Sequence, residues 1–301
     1  DPSSALNRIV ETLDVNKDRR ADILCADRSK NEFVVYIGGK DGFEPVRAPS
    51  PKSIDALTVY QAAGGATAGF CYSKTDKLFG VSKIESGKVS YPRPLNIDGE
   101  IEYLDMVSVD GGGKTTLVWI EKSGANYVLK SASAPAIAAM AFDGKAGSID
   151  IVASEFAFGK DAASASSTLK NKPLKVTFVD FNGDGVSDAI LHLAYSNKES
   201  LYLGIGGGKY KEIIEEKKII EEKAGQPLIV VDIDGDKKDD VLYVQNDFVR
   251  VLRVDDKEKL YVANQFNWKV GTIANMTPFP GGDRPRFFAL TGKDAVIVEI
   301  D

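Results

Sequence analysis

Short apolar runs separated by polar, glycine-rich turns recur along the chain. In residues 33–37, 57–60, 201–205, 228–231 and 249–254 the runs are four to six residues long. They are rich in β-branched and aromatic side chains and are flanked by Gly, Asn or Asp, which is the pattern of strands joined by tight turns. Two stretches fit it poorly. Residues 212–223 (Glu-Ile-Ile-Glu-Glu-Lys-Lys-Ile-Ile-Glu-Glu-Lys) suit a long outer strand or a short inserted helix. Residues 157–171, rich in Ala and Ser, suggest a mobile loop.

The pattern repeats with a shared polar insert. Leu13-Asp14-Val15-Asn16-Lys17-Asp18-Arg19-Arg20-Ala21-Asp22-Ile23-Leu24, Val179-Asp180-Phe181-Asn182-Gly183-Asp184-Gly185-Val186-Ser187-Asp188-Ala189-Ile190 and Val231-Asp232-Ile233-Asp234-Gly235-Asp236-Lys237-Lys238-Asp239-Asp240-Val241-Leu242 all carry Asp-x-Asp/Asn-x-Asp-x-x-x-Asp between apolar runs. The flanks repeat as well, with Gly38-Gly39-Lys40-Asp41-Gly42-Phe43 matching Gly206-Gly207-Gly208-Lys209-Tyr210. Each unit reads as strand, acidic loop, strand, turn, strand, Gly-rich turn and an aromatic-led strand. Asp180 and Asp232 are 52 residues apart, and Asp14 and Asp180 are 166 apart, which leaves room for further units with degenerate loops. Candidates lie at residues 57–72, 106–120, 137–153 and 286–300. Seven units of about 43 residues predict an all-β fold, a β-propeller of seven blades with up to four antiparallel strands each, as one domain over residues 1–301. A β-sandwich is the alternative. The last unit supplies two strands, so ring closure is expected to need strands from elsewhere, or the ring is open.

The acidic loops predict metal sites. Calcium takes six to eight oxygen ligands. Positions 1, 3, 5 and 9 of a tight loop can turn carboxylates or amides inward, and position 7 its backbone carbonyl. These positions are Asp14, Asn16, Asp18, Arg20 and Asp22 in the first loop. They are Asp180, Asn182, Asp184, Val186 and Asp188 in the second, and Asp232, Asp234, Asp236, Lys238 and Asp240 in the third. Clustered carboxylates repel one another unless a cation sits among them. Up to three Ca²⁺ ions are therefore expected, and Mg²⁺ is disfavoured because it demands strict octahedral geometry. The bland alternative is a set of hairpin turns whose Asp and Asn side chains merely cap backbone amides. An EF-hand is excluded, because position 12 is Cys25, Leu191 or Tyr243 and none of these chelates.

These loops, followed by Ile-Leu or Val-Leu and then by Gly-Gly-Lys-Asp-Gly-Phe, resemble FG-GAP/VCBS repeats. Such repeats form the calcium-loop blades of integrin α-subunit propellers and of many bacterial secreted and surface proteins. The match is specific around residues 5–48, 174–211 and 228–265 and weak elsewhere. The resemblance implies a propeller, often seven-bladed, with calcium bound within blades. It also implies a secreted, periplasmic or cell-surface location. In the family the loops are mainly structural and ligands bind on a face of the ring; no residues here match the integrin ligand site.

Composition narrows the function. A net charge of −6 argues against a nucleic-acid partner, and no apolar run approaches a membrane span of roughly 18 residues. A single His excludes a multi-histidine metal site, and two Cys exclude a zinc finger or a disulfide scaffold. Asp1-Pro2-Ser3-Ser4 lacks the basic and apolar regions of a signal peptide, so an export signal is expected to have been removed or to lie outside this sequence. The expected function is a non-catalytic calcium-binding scaffold for protein interaction or adhesion, integrin-like, with a protein or glycan ligand on a propeller face. A lectin, using Trp119, Tyr127, Phe266 or Trp268 as sugar platforms, is one alternative; inter-blade core is the commoner place for such aromatics. A polysaccharide lyase is the other, but His192 alternates in a strand and no acid–base set clusters around it. Gly111-Gly112-Gly113-Lys114-Thr115 lacks the spacing of a phosphate loop. Cys25 and Cys71 occupy similar places in neighbouring units. Equivalent strands of packed sheets lie about 10 Å apart, beyond the roughly 7 Å a disulfide spans, which favours free thiols over a bridge. If all three loops bind Ca²⁺, the −6 becomes formally neutral.

Overall fold

The structure, a computed structural model, describes residues 10–40, 42–62, 67–97, 99–107, 109, 115–194, 200–213, 228–244, 248–255, 257–267, 273–278, 286–291 and 295–299. Packing divides the chain into two compact units, Asp1–Phe156 with Ser167–Lys170 and Ala157–Ser166 with Asn171–Asp301.

The first unit contains three sheets. β1 (Val10–Leu13), β2 (Asp22–Asp27), β3 (Glu32–Gly39) and β4 (Gly42–Pro49) form an antiparallel meander in chain order. The second sheet runs β5 (Ala56–Gln61), β6 (Thr67–Ser73), β7 (Leu78–Glu85) and β9 (Arg93–Asn96), with β8 (Lys88–Val89) beside β7. The third begins β10 (Glu100–Val107), β11 (Thr116–Ser123), β12 (Asn126–Ser133). After it come the helix α1 (Ala134–Ala141), β13 (Ile149–Asp150), which pairs in parallel with β9, and β14 (Ser154–Glu155), which extends β12. The chain continues through β15 (Ala157–Gly159), of the second unit, and β16 (Thr168–Leu169), which returns to β12.

The second unit contains three more sheets. β17 (Pro173–Val179), β18 (Asp188–Leu193), β19 (Ser200–Gly204) and β20 (Lys209–Glu212) form a meander whose outer edge is extended by β15, in parallel. β21 (Leu228–Val231), β22 (Asp240–Val244), β23 (Phe248–Val254) and β24 (Leu260–Asn267) form the next, and β25 (Ile273–Pro278), β26 (Arg286–Thr291) and β27 (Ala295–Glu299) the last.

Apolar side chains fill the spaces between consecutive sheets. Leu24, Phe33 and Val35 of the first pack with Leu57 and Cys71 of the second. Phe70, Phe79 and Val81 of the second pack with Leu104, Met106 and Trp119 of the third. In the second unit, Ile190 and Leu203 meet Val241 and Leu252, and Leu242 and Val251 meet Phe287. Burying each such side chain contributes roughly 1.5–3 kcal/mol. Middle strands are therefore buried on both faces: every residue of β6 is buried. First strands lie side by side, β5 against β1 and β10, and β21 against β25.

Three expectations are corrected. Residues 137–141 are helix, not strand, and Phe142 is its C-cap: the Ser133 side chain caps the Ala136 amide, Pro135 lies in the first turn, and the alanines that follow favour helix. With β13 returning to β9, residues 137–153 form no sheet of their own, and the described residues make six sheets where seven units were expected. Residues 157–171 are not a bare loop either. β15 and β16 pair with other strands, Phe158 bridges Ser166, and the Asp161 carboxylate accepts the amides of Ala163 and Ser164. Of residues 212–223, Glu212 ends β20, and 214–223 lie outside the described residues.

Candidate metal centres

Each acidic loop joins the first and second strands of a sheet. The pairs Leu13↔Asp22, Val179↔Asp188 and Val231↔Asp240 close the three hairpins at the same register. Positions 4 and 6 adopt left-handed backbone in every loop. The φ angles are 63° and 65° at Lys17 and Arg19, 72° and 79° at Gly183 and Gly185, and 78° and 69° at Gly235 and Lys237. Glycine meets this conformation freely, whereas a side chain there costs about 1–2 kcal/mol. The second loop is thus relaxed, the third carries one strained residue and the first carries two.

The polar contacts repeat as well. The position-1 carboxylate accepts the position-6 amide: Arg19 N to Asp14 Oδ2 at 3.0 Å, Gly185 N to Asp180 Oδ2 at 2.9 Å, Lys237 N to Asp232 Oδ2 at 3.0 Å. Arg20, Val186 and Lys238 at position 7 donate their amides to Asp18, Asp184 and Asp236 at 2.7–2.9 Å. Asn16 and Asn182 each donate a side-chain N–H to the position-5 carboxylate.

Position 9 is where the loops diverge. Asp22, Asp188 and Asp240 are all buried. Asp22 accepts Val15 N and Gly38 N, both at 2.7 Å. Asp188 accepts Phe181 N at 2.9 Å and Gly204 N at 2.8 Å. Asp240 accepts Ile233 N at 3.0 Å, but Arg253 replaces the glycine amide, with Nε to Oδ1 at 2.5 Å and Nη2 to Oδ2 at 3.0 Å. Arg253 Nη1 also meets Asp234 Oδ2 at 2.8 Å.

Strand register explains the exchange. Ile23↔Tyr36, Ala189↔Tyr202 and Val241↔Leu252 are equivalent pairs. One step along, Ile37, Leu203 and Arg253 stand opposite the position-9 Asp, followed by Gly38, Gly204 and Val254. A β-carbon at Gly38 would sit 2.5 Å from the Ala21 carbonyl oxygen, and one at Gly204 would sit 2.4 Å from that of Ser187. Such close approach needs glycine. Sequence reading placed Gly38 in a repeating Gly-rich turn but missed its contact with the position-9 Asp, and missed Gly204 and Arg253; the recurrence of glycine sixteen residues after Asp22 and Asp188 was the available signal.

Electrostatics separates the loops further. Burial pushes the Asp188 carboxyl up to about 7, with Asp180 and Asp184 adding to the shift against the Gly204 and Phe181 amides. Its hydrogen bonds to Asp240, then the charges of Asp240 and Asp234, hold Arg253 well above the usual guanidinium range. Burial, then Asp180, Asp232 and Asp240, raise the Asp239 carboxyl. Asp239 also ties the second and third loops together: its carboxylate accepts Asp180 N at 2.9 Å, and its amide donates to the Asp180 carbonyl at 2.8 Å.

Asp232, Asp234 and Asp240 bring carboxylate oxygens within 4.8 Å of one another, the one such gathering of acidic, Cys or His groups among the described residues. The Asp residues of the other two loops share the backbone form without that convergence. No ion pair among the described residues reaches their carboxylates. Carboxylates keep free lone pairs beside their amide bonds, so the oxygen-only set of the second loop, with its poorly compensated Asp188, fits a hard divalent cation.

The remaining candidates fall into place. Trp119 is fully buried and packs at a tilt against Phe79, 5.8 Å between ring centres, so it is core and not a sugar platform. Phe266 packs against the core between the last two sheets, and Trp268 lies outside the described residues. His192 is half-buried in β18, opposite Lys175. Gly111 to Lys114 lie outside the described residues. Cys25 and Cys71 are free thiols, in β2 and β6, and burial pushes that of Cys71 up to about 12. Asp55, Tyr72, Lys74, Glu102 and Tyr103 line a cleft of about 90 Å³, below the 300–1,000 Å³ usual for small-molecule pockets. No helix among the described residues is long and apolar enough to cross a membrane.

No family model matches the chain, and comparison with curated proteins found no match. Similar solved structures include the Tc holotoxin pore of Photorhabdus luminescens, with a TM-score of 0.50 and 11% identity over 98% of this chain; the chain spans 14% of that toxin chain. BBS1N in complex with ARL6DN gives a TM-score of 0.49 and 13% identity over 98% of this chain and 92% of that one. The periplasmic gluconolactonase of Pseudomonas aeruginosa gives 0.47 and 13% over 95% and 82%. Identities this low bear on the fold alone.

Proposed function

We propose that the chain is a calcium-binding β-propeller, each sheet a blade, that acts as a non-catalytic scaffold for protein interaction or adhesion. The propeller reading is supported by meander sheets with apolar cores between consecutive faces and by first strands lying side by side, as strands lining a central axis do. Six sheets lie among the described residues, against the seven blades that the sequence leads one to expect.

The observation that carries the calcium reading is the second loop. Its glycines hold a relaxed turn, its donors are all oxygen, and Asp188 is buried near Asp180 and Asp184 with no cation paired to it among the described residues. Ca²⁺ would supply the missing positive charge. Asp180, Asn182, Asp184 and Asp188 would hold it with the Val186 carbonyl, and Asp14, Asn16, Asp18 and Asp22 with the Arg20 carbonyl would form the corresponding site in the first loop. Bound calcium would fix each hairpin and add stability by mass action. Modules working at the 10⁻⁴–10⁻³ M affinities of extracellular calcium sites suit a secreted, periplasmic or surface setting. A ligand would then meet the loops of a ring face, since loops on rigid sheets are where recognition residues concentrate.

The test is calcium titration of the whole chain by calorimetry, with thermal melting in calcium and in chelator. Calcium should raise the melting temperature, and Asp184→Ala should remove one equivalent. No heat and no shift would sink the metal reading.

A further inference from the structure

We propose that Arg253 is the resident cation of the third acidic loop, so that this loop contributes no calcium site. The proposal rests on the calcium reading of the other loops, because it states how the third departs from them. Three observations carry it. First, the guanidinium grips both oxygens of Asp240, at 2.5 and 3.0 Å, and reaches Asp234 at 2.8 Å. It thereby bridges positions 3 and 9, two of the four side chains that a metal would need. Planar two-point binding of a carboxylate is the geometry in which arginine is most effective, and its charge does not titrate away.

Second, the gathering of Asp232, Asp234 and Asp240 occurs in the loop that contains this arginine. The first two loops have the same backbone turn, but no ion pair among the described residues reaches their Asp carboxylates, and these do not gather as those of the third loop do. Convergence thus follows the guanidinium, not the loop form.

Third, the register places Arg253 where Ile37 and Leu203 stand in the other two sheets, and Val254 where Gly38 and Gly204 stand. Arginine replaces both an apolar neighbour and the amide that satisfies the position-9 carboxylate. A metal entering this loop would have to displace a half-buried guanidinium from two carboxylates at once. The third loop should therefore keep its form without calcium. Through the Asp239–Asp180 contacts it would brace the position-1 residue of the second loop in both metal-bound and metal-free protein.

The experiment counts calcium by native mass spectrometry on the full chain, as wild type, Asp236→Asn, Arg253→Met and the double variant. Asp236 touches Lys238 N and not Arg253, so it reports on the third loop alone. Asp236→Asn should bind as many ions as wild type. Arg253→Met should gain one, and the double variant should lose it again. Loss of an ion in Asp236→Asn overturns the proposal. Hydrogen exchange covers the case in which Arg253→Met folds poorly. In wild type moved from calcium to chelator, protection of Gly235 and Lys237 should change less than twofold, while that of Gly183 and Gly185 falls at least tenfold. Equal falls in both loops overturn it. If wild type binds no calcium anywhere, the reading of the first two loops fails on its own. Arg253 is then judged by exchange: protection of Gly235 lost in Arg253→Met supports it, and protection unchanged overturns it.

Discussion

The second and third acidic loops share one backbone form and solve one electrostatic problem in two ways. Both bury a position-9 carboxylate at the start of a strand, under a carboxylate-rich turn. Among the described residues Asp188 receives two backbone amides and no cation, and burial raises its carboxyl to about 7. Asp240 receives one amide and a guanidinium. Amide dipoles orient a carboxylate but do not cancel its charge, so among the described residues the second loop lacks the side-chain counter-charge that the third has. The difference traces to the facing strand, where one loop looks onto Leu203 and Gly204 and the other onto Arg253 and Val254.

The largest way to break this comparison is at position 9. Asp240→Ala should cost about 3–4 kcal/mol in denaturant unfolding, because it removes the two-point partner of Arg253, leaving it Asp234 alone, and orphans the Ile233 amide. Asp188→Ala should cost less, about 2–3 kcal/mol, since it orphans two amides but relieves repulsion from Asp180 and Asp184. A larger loss at Asp188 would mean that Arg253 adds little.

Next comes pH in the absence of metal. The native Asp188 pKa of about 7 lies above its unfolded value of 3.8, so the native state binds more protons between these limits. That contribution to stability is full below about pH 4 and is lost as pH rises through 7. In chelator, Asp188→Asn should flatten a decline in melting temperature between pH 5 and 7.5. Calcium should flatten the same decline in wild type. At 100 times the dissociation constant, calcium should add about 2.7 kcal/mol per site. A profile indifferent to both changes would show that Asp188 is not the uncompensated group.

The smallest effects are in the turn backbone. Lys237→Gly should make the third loop match the second and stabilise by about 0.5–1 kcal/mol, and Lys17→Gly and Arg19→Gly should each do likewise in the first. Gly185→Ala should destabilise by a similar amount. Chemical denaturation midpoints resolve these shifts, and a destabilising Lys237→Gly would show that its side chain matters more than its backbone strain.

Much of the fold was legible because strands and tight turns write local signals. The first strand of the third acidic-loop unit was expected at residues 228–231 and is β21, Leu228–Val231. The acidic loops stand between first and second strands, as expected. The segment at residues 137–142 was misread because an apolar run of six residues has no period that separates strand from helix. The Ser133 cap and Pro135 were the better signals. The outer strands β14, β15 and β16 were not legible, since two- and three-residue strands gain their order from the edge they join; β13, Ile149–Asp150, falls within the strand expected at residues 149–153.

By itself the sequence determined where the acidic loops fall, which side chains they carry and which of their turns are glycine-relaxed, because these are properties of neighbouring residues. Only the tertiary structure decided what each loop faces. Whether the position-9 carboxylate meets a glycine amide or a guanidinium depends on cross-strand register between residues thirteen to sixteen positions apart. Charge compensation acts through space, so three loops that read alike along the chain become electrostatically different in the fold.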